Sequence, residues 1–388
     1  MVLQAWRIFW HRWVCGSGLF MVVLFTIAAP AVAMNDDEEQ CYQQHNLVSD
    51  EVGKADNRDP LLVNAWGLAV GQNSFFWVSD NGKGVTTLYT GSGQPSPQPM
   101  PLVVTIPPTA SAPTGQVFNP FNATNPTEFI VTDGNNHSGP SLFIFATEDG
   151  TLAGWNPGVP PPPLSTKAIQ VVDNSASEAV YKGLAIGANS SGHFLYAANF
   201  HAGTIDVFDS NFKPATLDGT FLDPHLLPHF APFNIQNLNG KLYVTYAKQD
   251  ADKHDDVPGQ GNGFVDVFDT DGRFLQRVAT RGQLNSPWGL AFAPANFGPF
   301  SHDLLVGNFG DGRINAYRLK NQRFHFDGKL RGAKEKPITI DGLWALQFGL
   351  GGANNGPTNV LFFTAGPGEE SHGLFGSLSV APFGSCDD

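Results

Sequence analysis

Six stretches of the chain repeat one short pattern, and that repetition constrains the fold more than any other feature. The copies begin near Ala65, Pro113, Tyr181, Pro232, Pro287 and Leu343. Most open on an apolar strand that starts next to a glycine, as in NAWGLAV, YKGLAIG and SPWGLAFAP. A polar or Gly-containing turn follows. A second strand then ends in a small polar group, such as Ser79-Asp80-Asn81 or Asn308, and a tight loop leads to a third strand, such as Thr204 to Phe208. One unit of this kind cannot bury both faces of its sheet. Units stacked around an axis can, and they leave only short edges. Six copies therefore predict an all-β, six-bladed β-propeller, a single domain over residues 34–388. The composition agrees, because 43 Gly and 31 Phe beside only 4 Met favour sheet and turns over a helical bundle.

A ring must be tied shut. The segment Gln43 to Val48, ahead of the first copy, is expected to add an outer strand to the last blade, so that N-terminal and C-terminal strands pair. Cys41 and Cys386 lie at opposite ends of the remaining chain, and ring closure would bring them together as one disulfide. Their separation would give the loop-entropy model an upper figure of about 5–6 kcal/mol.

The first 33 residues read as a secretory signal peptide. Arg7 and Arg12 precede the apolar run Leu19 to Ala29, and Ala31-Val32-Ala33 supplies a small-x-small cleavage pattern. The expected localisation is secreted, either extracellular or periplasmic, with no membrane span after cleavage and a monomeric product. The net charge of -13 argues against a nucleic-acid partner, which requires Lys/Arg stripes.

The phrases NAWGLAV, IFATEDGTLAGW, YKGLAIG, NFHAGTIDVFD, GNGFVDVFD, SPWGLAFAP and LLVGNFGDGRINAY resemble NHL-type repeats of six-bladed propellers. Essentially all of residues 42–382 is similar to a family of secreted, uncharacterised NHL-like propeller proteins, some bacterial members of which carry a PEP-CTERM sorting tail. The C-terminal APFGSCDD is not such a tail. The resemblance implies fold and secretion and implies no reaction.

Strand order places the six inner-strand starts, and the loops between second and third strands, at one mouth of the ring. The aligned starts are Trp66, Thr114, Lys182, Phe233, Trp288 and Trp344. They read either as an aromatic funnel that stacks a ligand or as a plug that fills the channel. Asp80, Asn81, Asp133, Asn135, His137, Asn199, His201, Asn308, Asp311, Glu369, Glu370 and His372 are expected on the same face. So is a long acidic loop, residues 249–262 (QDADKHDDVPGQGN). Its Asp250, Asp252, Asp255 and Asp256 offer hard oxygens for Ca²⁺, although the spacing is not that of an EF-hand. His137, His201, His254 and His372 come from different blades, and no local spacing joins them. Propellers similar to paraoxonases and gluconolactonases hold an axial calcium through Asn, Asp or Glu before a Gly-Leu pair. Here that residue is Trp66, Lys182 or Trp288. No G-x-S-x-G, H-E-x-x-H, phosphate loop or C-x-x-C is present. Three functions stay open: a binding protein for a small molecule, glycan or protein segment; a lactonase- or esterase-like hydrolase or lyase; and a structural role.

Overall fold

The computed structural model describes residues 40–382 and 386; the signal segment lies outside the described residues. Six sheets whose blade strands run antiparallel stand around one axis, and blade 6 adds one parallel pair at its edge. Their inner strands are Ala65–Ala69, Pro113–Phe118, Tyr181–Asn189, Phe230–Leu238, Pro287–Phe292 and Leu343–Phe348, for blades 1 to 6 in that order. Each inner strand touches the next, and the sixth returns to the first. Apart from four three-residue 3-10 turns, the described residues contain no helix, and none is long and apolar enough to cross a membrane.

Blade 6 is completed by Tyr42–Ser49, which pairs antiparallel with Leu374–Val380 from Tyr42 opposite Val380 to Ser49 opposite Leu374. The N-terminal strand therefore closes the ring. Closure brings Cys41 and Cys386 to a Cα separation of 5.7 Å, placed to form a disulfide. For the oxidised protein, Cys386→Ser is expected to cost about 2–4 kcal/mol in urea unfolding, below the full loop-entropy figure because the strand pairing already restrains the ends. An unchanged urea midpoint would show that the strand alone seals the ring.

The core lies between neighbouring sheets. Trp77 of blade 1 stacks on Phe143 of blade 2 with centroids 4.2 Å apart, and Tyr243 of blade 4 meets Phe292 of blade 5 edge-on at 5.5 Å. Alternating strand residues supply these contacts, which is why second strands such as Phe76–Asp80 and Leu304–Asn308 are buried throughout. Two blades differ in detail from the others. Blade 3 has three strands in its sheet. In blade 2 the second strand is Phe143–Thr147, and FIVTDG belongs to a separate hairpin, Ile130–Thr132 with Ser138–Pro140.

Every inner strand carries a β-bulge at the same aligned position. The pairing steps from Tyr181 to Gly183 while its partner moves only from Asn199 to Ala198, leaving Lys182 unpaired. The same irregularity falls at Phe233 and Trp288, and around Trp66, Thr114 and Trp344. A bulge re-aims its extra side chain, and six bulges in register re-aim the side chains at the aligned starts. The glycine that follows explains the recurring x-Gly-Leu phrase. A Cβ on Gly67 would lie 2.2 Å from the Thr114 carbonyl oxygen, and one on Gly289 would lie 2.6 Å from that of Trp344. These glycines allow adjacent inner strands to approach closely; they are packing residues.

Candidate functional site

At the axis the aromatic starts form a floor. Trp66 stacks on Trp344 with centroids 3.6 Å apart, and Phe309 covers Trp344's other face at 4.0 Å. Trp288 meets both indoles edge-on at 6.5 and 5.9 Å, and Phe233 lies 5.8 Å from Trp344. Trp66, Phe233, Trp288 and Trp344 are all under 5% exposed. Of the two readings, open funnel and plug, this burial fits the plug, because rings from four blades stack on one another and exclude solvent. The indole N–H of Trp288 donates to the Lys182 carbonyl at 3.1 Å, and that of Trp344 to Asn64 Oδ1 at 2.9 Å. Trp66 Nε1 has no partner among the described residues. Thr114 turns away from the mouth, donating to the Tyr181 carbonyl at 2.6 Å.

Lys182 is the one charged side chain among the six starts, and its ammonium lies over the Trp66 ring, 5.2 Å from its centroid. It donates to Glu148 Oε1 and, at 3.0 Å, to Asp255 Oδ1. Glu148's other oxygen accepts from Asn81 at 2.9 Å, and Asn81 Oδ1 accepts from Asn64 at 3.1 Å. Asn64 also donates to Glu370 Oε2 at 2.6 Å. His254 Nδ1 lies 3.0 Å from the Asp255 oxygen that faces Lys182. Blades 1, 2, 3, 4 and 6 each place a polar side chain in this layer, and Trp288 of blade 5 supports Lys182 from below. Sequence reasoning missed Glu148. Its signal was the TEDG turn, which closes the apolar run FIFATEDG much as FIVTDG closes another within the same repeat.

The charges of this layer are coupled. Burial alone would lower the Lys182 pKa, but Glu148 and Asp255 hold it above the ordinary lysine value of 10.5. The amine is therefore an ammonium through the neutral range and not a free nucleophile. Burial pushes Asp255 up, yet the Lys182 charge and hydrogen bond outweigh it and bring Asp255 below the usual carboxylate value. Burial, reinforced by Glu148, pushes Glu370 up to about 7, and burial pushes Asp256 up to about 6.

A carboxyl whose folded pKa exceeds its unfolded value binds a proton on folding, so it weakens the fold as pH rises from about 4.5 through 7. Glu370→Gln is accordingly expected to be about 1–2 kcal/mol more stable than the parent at pH 8 and equal to it near pH 4.5, as read by urea unfolding at both values. A parallel pH dependence in the two proteins would show that Glu370 titrates normally.

The remaining candidates do not gather here. His201 Nε2 lies 3.7 Å from exposed Glu178, and His372 is tied to Asp50 at 2.9 Å, which raises its pKa. Asn308 is buried and donates to the Gln283 carbonyl and to Asp311 at 2.9 and 3.0 Å, so it builds a turn. Asp80 is fully buried, and burial pushes its pKa well up. Asn199 donates to Asp206 at 3.0 Å. Asp133, Asn135 and His137 sit in the extra hairpin of blade 2, off the mouth-facing loop, where Asp133 and His137 pair with each other at 2.7 Å. Glu369 is exposed beside Glu370.

The acidic loop does not converge as a calcium cage. Asp250 caps the His254 backbone N–H at 3.0 Å, Asp252 is exposed, and of the four aspartates Asp255 alone is seen to hydrogen-bond Lys182. Glu148, His254 and Asp255 bring ligand atoms within 4.8 Å of one another. The Lys182 ammonium already bonds both carboxylates, and an imidazole is a poor calcium ligand, so these residues do not fit a Ca²⁺ ion.

Fold and site together define a six-bladed propeller whose axis is plugged by aromatic rings and capped by a carboxylate ring around a buried ammonium. The chain is 33% identical to the uncharacterized protein R648 of Acanthamoeba polyphaga mimivirus over 338 residues, covering 86% of this chain and 78% of that protein. It is 32% identical to the mimivirus uncharacterized protein L690 over 342 residues, covering 86% and 84%. The chain belongs to the family of these viral proteins. No family model matches it. Among solved structures it is similar to the soluble aldose sugar dehydrogenase of Escherichia coli in its apo-form, with TM-score 0.52, 12% identity, 88% of this chain and 100% of that one. A Bacteroides thetaiotaomicron protein of unknown function gives TM-score 0.53, 9% identity, 88% and 77%. At such identities the likeness is one of fold.

Proposed function

We propose that the protein is a binding protein that captures a small ammonium- or hydroxyl-bearing molecule, or a glycan or protein segment presenting such groups, at the mouth above Lys182. The observation that supports this reading is charge excess on a built scaffold. One buried ammonium bonds Glu148 and Asp255, Glu370 lies within electrostatic reach of it, and Asp255 keeps 65% of its side chain exposed. Donors on a ligand find acceptor oxygens already fixed in place, and preorganised acceptors bind with less ordering cost. The signal-like residues 1–33 and the NHL-like repeats support a secreted, single-domain product over residues 34–388.

Spermidine and glucosamine are the probes, followed by calorimetry at low salt. Binding should weaken about tenfold in Asp255→Asn and in Glu148→Gln, and also below pH 6, where Glu370 is protonated. Affinity unchanged in both variants would remove the mouth as the site.

A second reading, a hydrolase or lyase, is favoured by one feature. Glu370 is held near neutrality beside Glu148, whose oxygens accept from Lys182 and Asn81, and carboxyls in such different settings can divide acid and base roles. Turnover of esters, lactones or glycosides that disappears in Glu370→Gln would support it. Absence of turnover across those three classes would exclude it.

A further inference from the structure

The opposite end of the axis holds a different environment. Where the inner strands finish, a cavity of about 320 Å³ runs up to the underside of Trp288. That volume falls within the range of small-molecule sites, roughly 300–1,000 Å³. Its lining contains no Asp, Glu, Lys, Arg or His, although the chain carries a net charge of -13. The walls alternate apolar side chains, among them Leu68, Ile186 and Leu346, with side-chain amides.

Three of those amides have unused hydrogen-bonding capacity. Gln116 is only 6% exposed. Its Nε2 donates to the carbonyls of Gly67 and Trp77 at 2.9 and 2.8 Å, which uses both N–H groups and fixes the amide's orientation. Its Oε1 is buried and has no partner. Gln347 donates to the Phe348 carbonyl at 2.9 Å, and no partner for its oxygen is seen among the described residues. Gln236, half-buried on the wall, has no side-chain partner among the described residues. Asn234 and Asn237, by contrast, are held at both ends by backbone groups and serve as scaffold.

An uncharged cavity disfavours ions, which would lose hydration without gaining a counter-charge. A purely apolar guest would leave the amides unpaired, at about 1–3 kcal/mol each. A guest with hydroxyls around a C–H-rich ring satisfies both kinds of wall. We infer that the cavity at the inner-strand ends is a second binding site, separate from the charged mouth, for neutral polyhydroxylated small molecules of the monosaccharide or cyclitol class.

The test uses the whole oxidised protein with D-glucose, N-acetylglucosamine and myo-inositol as neutral probes, and glucuronate as the charged control, read by saturation-transfer NMR and calorimetry. At least one neutral probe should bind with an affinity that stays constant between pH 5 and 8, with glucuronate at least about tenfold weaker. The double variant Gln236→Leu, Gln347→Leu should lose about tenfold or more, and Asp255→Asn should lose nothing. Should the double variant fail to fold, Gln236→Leu alone gives the same readout at a half-buried position. If no neutral probe binds, the cavity is a water-filled pore and the inference is overturned. Binding that survives the amide substitutions but falls in Asp255→Asn would overturn it too, by assigning the probe to the mouth.

Discussion

Trp344→Ala is expected to destabilise the protein by about 4 kcal/mol in urea unfolding, the largest single effect anticipated here. Trp344 is sandwiched between Trp66 and Phe309 and also touches Trp288 and Phe233, so its removal opens a void at the point where the blades converge. The loss extends upward. The indole N–H is a donor to Asn64 Oδ1, and Asn64 in turn holds Glu370 and Asn81. Without that anchor the carboxylate layer loses its alignment, so capture of spermidine at the mouth should weaken even under conditions where the variant remains folded. Trp344→Phe separates the two effects: it keeps much of the floor and deletes the N–H. A cost below about 1 kcal/mol for Trp344→Ala would mean that the rings do not hold the axis closed.

Lys182→Met comes next, at about 3 kcal/mol near pH 8, with a much smaller deficit only in acid, at about pH 2.5, below the ordinary carboxylate range. Methionine fills the same volume over Trp66 but leaves Glu148, 14% exposed, facing Asp255 and Glu370 without a counter-charge. Asp255, whose folded pKa is depressed, contributes stability that is present above its ordinary carboxylate range and is lost as pH falls through the folded value. The contribution of Lys182, whose folded pKa is raised, persists below 10.5 and fades only above it. Both signs place the full deficit between the ordinary carboxylate value of 3.8 and the ordinary lysine value of 10.5. Equal deficits at pH 8 and about pH 2.5 would indicate a packing defect instead of a lost ion pair. Glu148→Gln together with Lys182→Met should recover part of the loss, because it removes the carboxylate that the first change strands.

Much of the architecture was legible from local chemistry. The x-Gly-Leu phrase marked the inner strands because only a residue without a Cβ lets neighbouring strands approach to the distances found at Gly67 and Gly289. The two distant cysteines and the extra strand before the first copy both pointed to ring closure, and Tyr42–Ser49 supplies it. The site was only half legible. Alignment placed Lys182 and the tryptophans at the axis, but a repeat phrase carries no distance between blades, so stacked rings could not be told from an open funnel. Blade 2 is ambiguous in sequence for a specific reason. FIVTDG and FIFATEDG are both apolar runs that end in small polar groups, and only pairing with Pro113–Phe118 shows which one is the second strand. That ambiguity hid Glu148, the principal partner of Lys182. The histidines lacked any common spacing, and they prove to pair with separate carboxylates, as His137 with Asp133 and His372 with Asp50.

The central claim is that the mouth is organised around a permanently charged lysine. Titration of the Lys182 Nζ resonance by ¹⁵N NMR, assigned by its loss in Lys182→Met, tests this directly. The expected result is a signal that stays that of an ammonium from pH 5 to beyond the ordinary lysine value of 10.5. A midpoint well below that value would contradict the account, since it would mean that Glu148 and Asp255 do not enclose the amine and that the carboxylate ring has no cation at its centre.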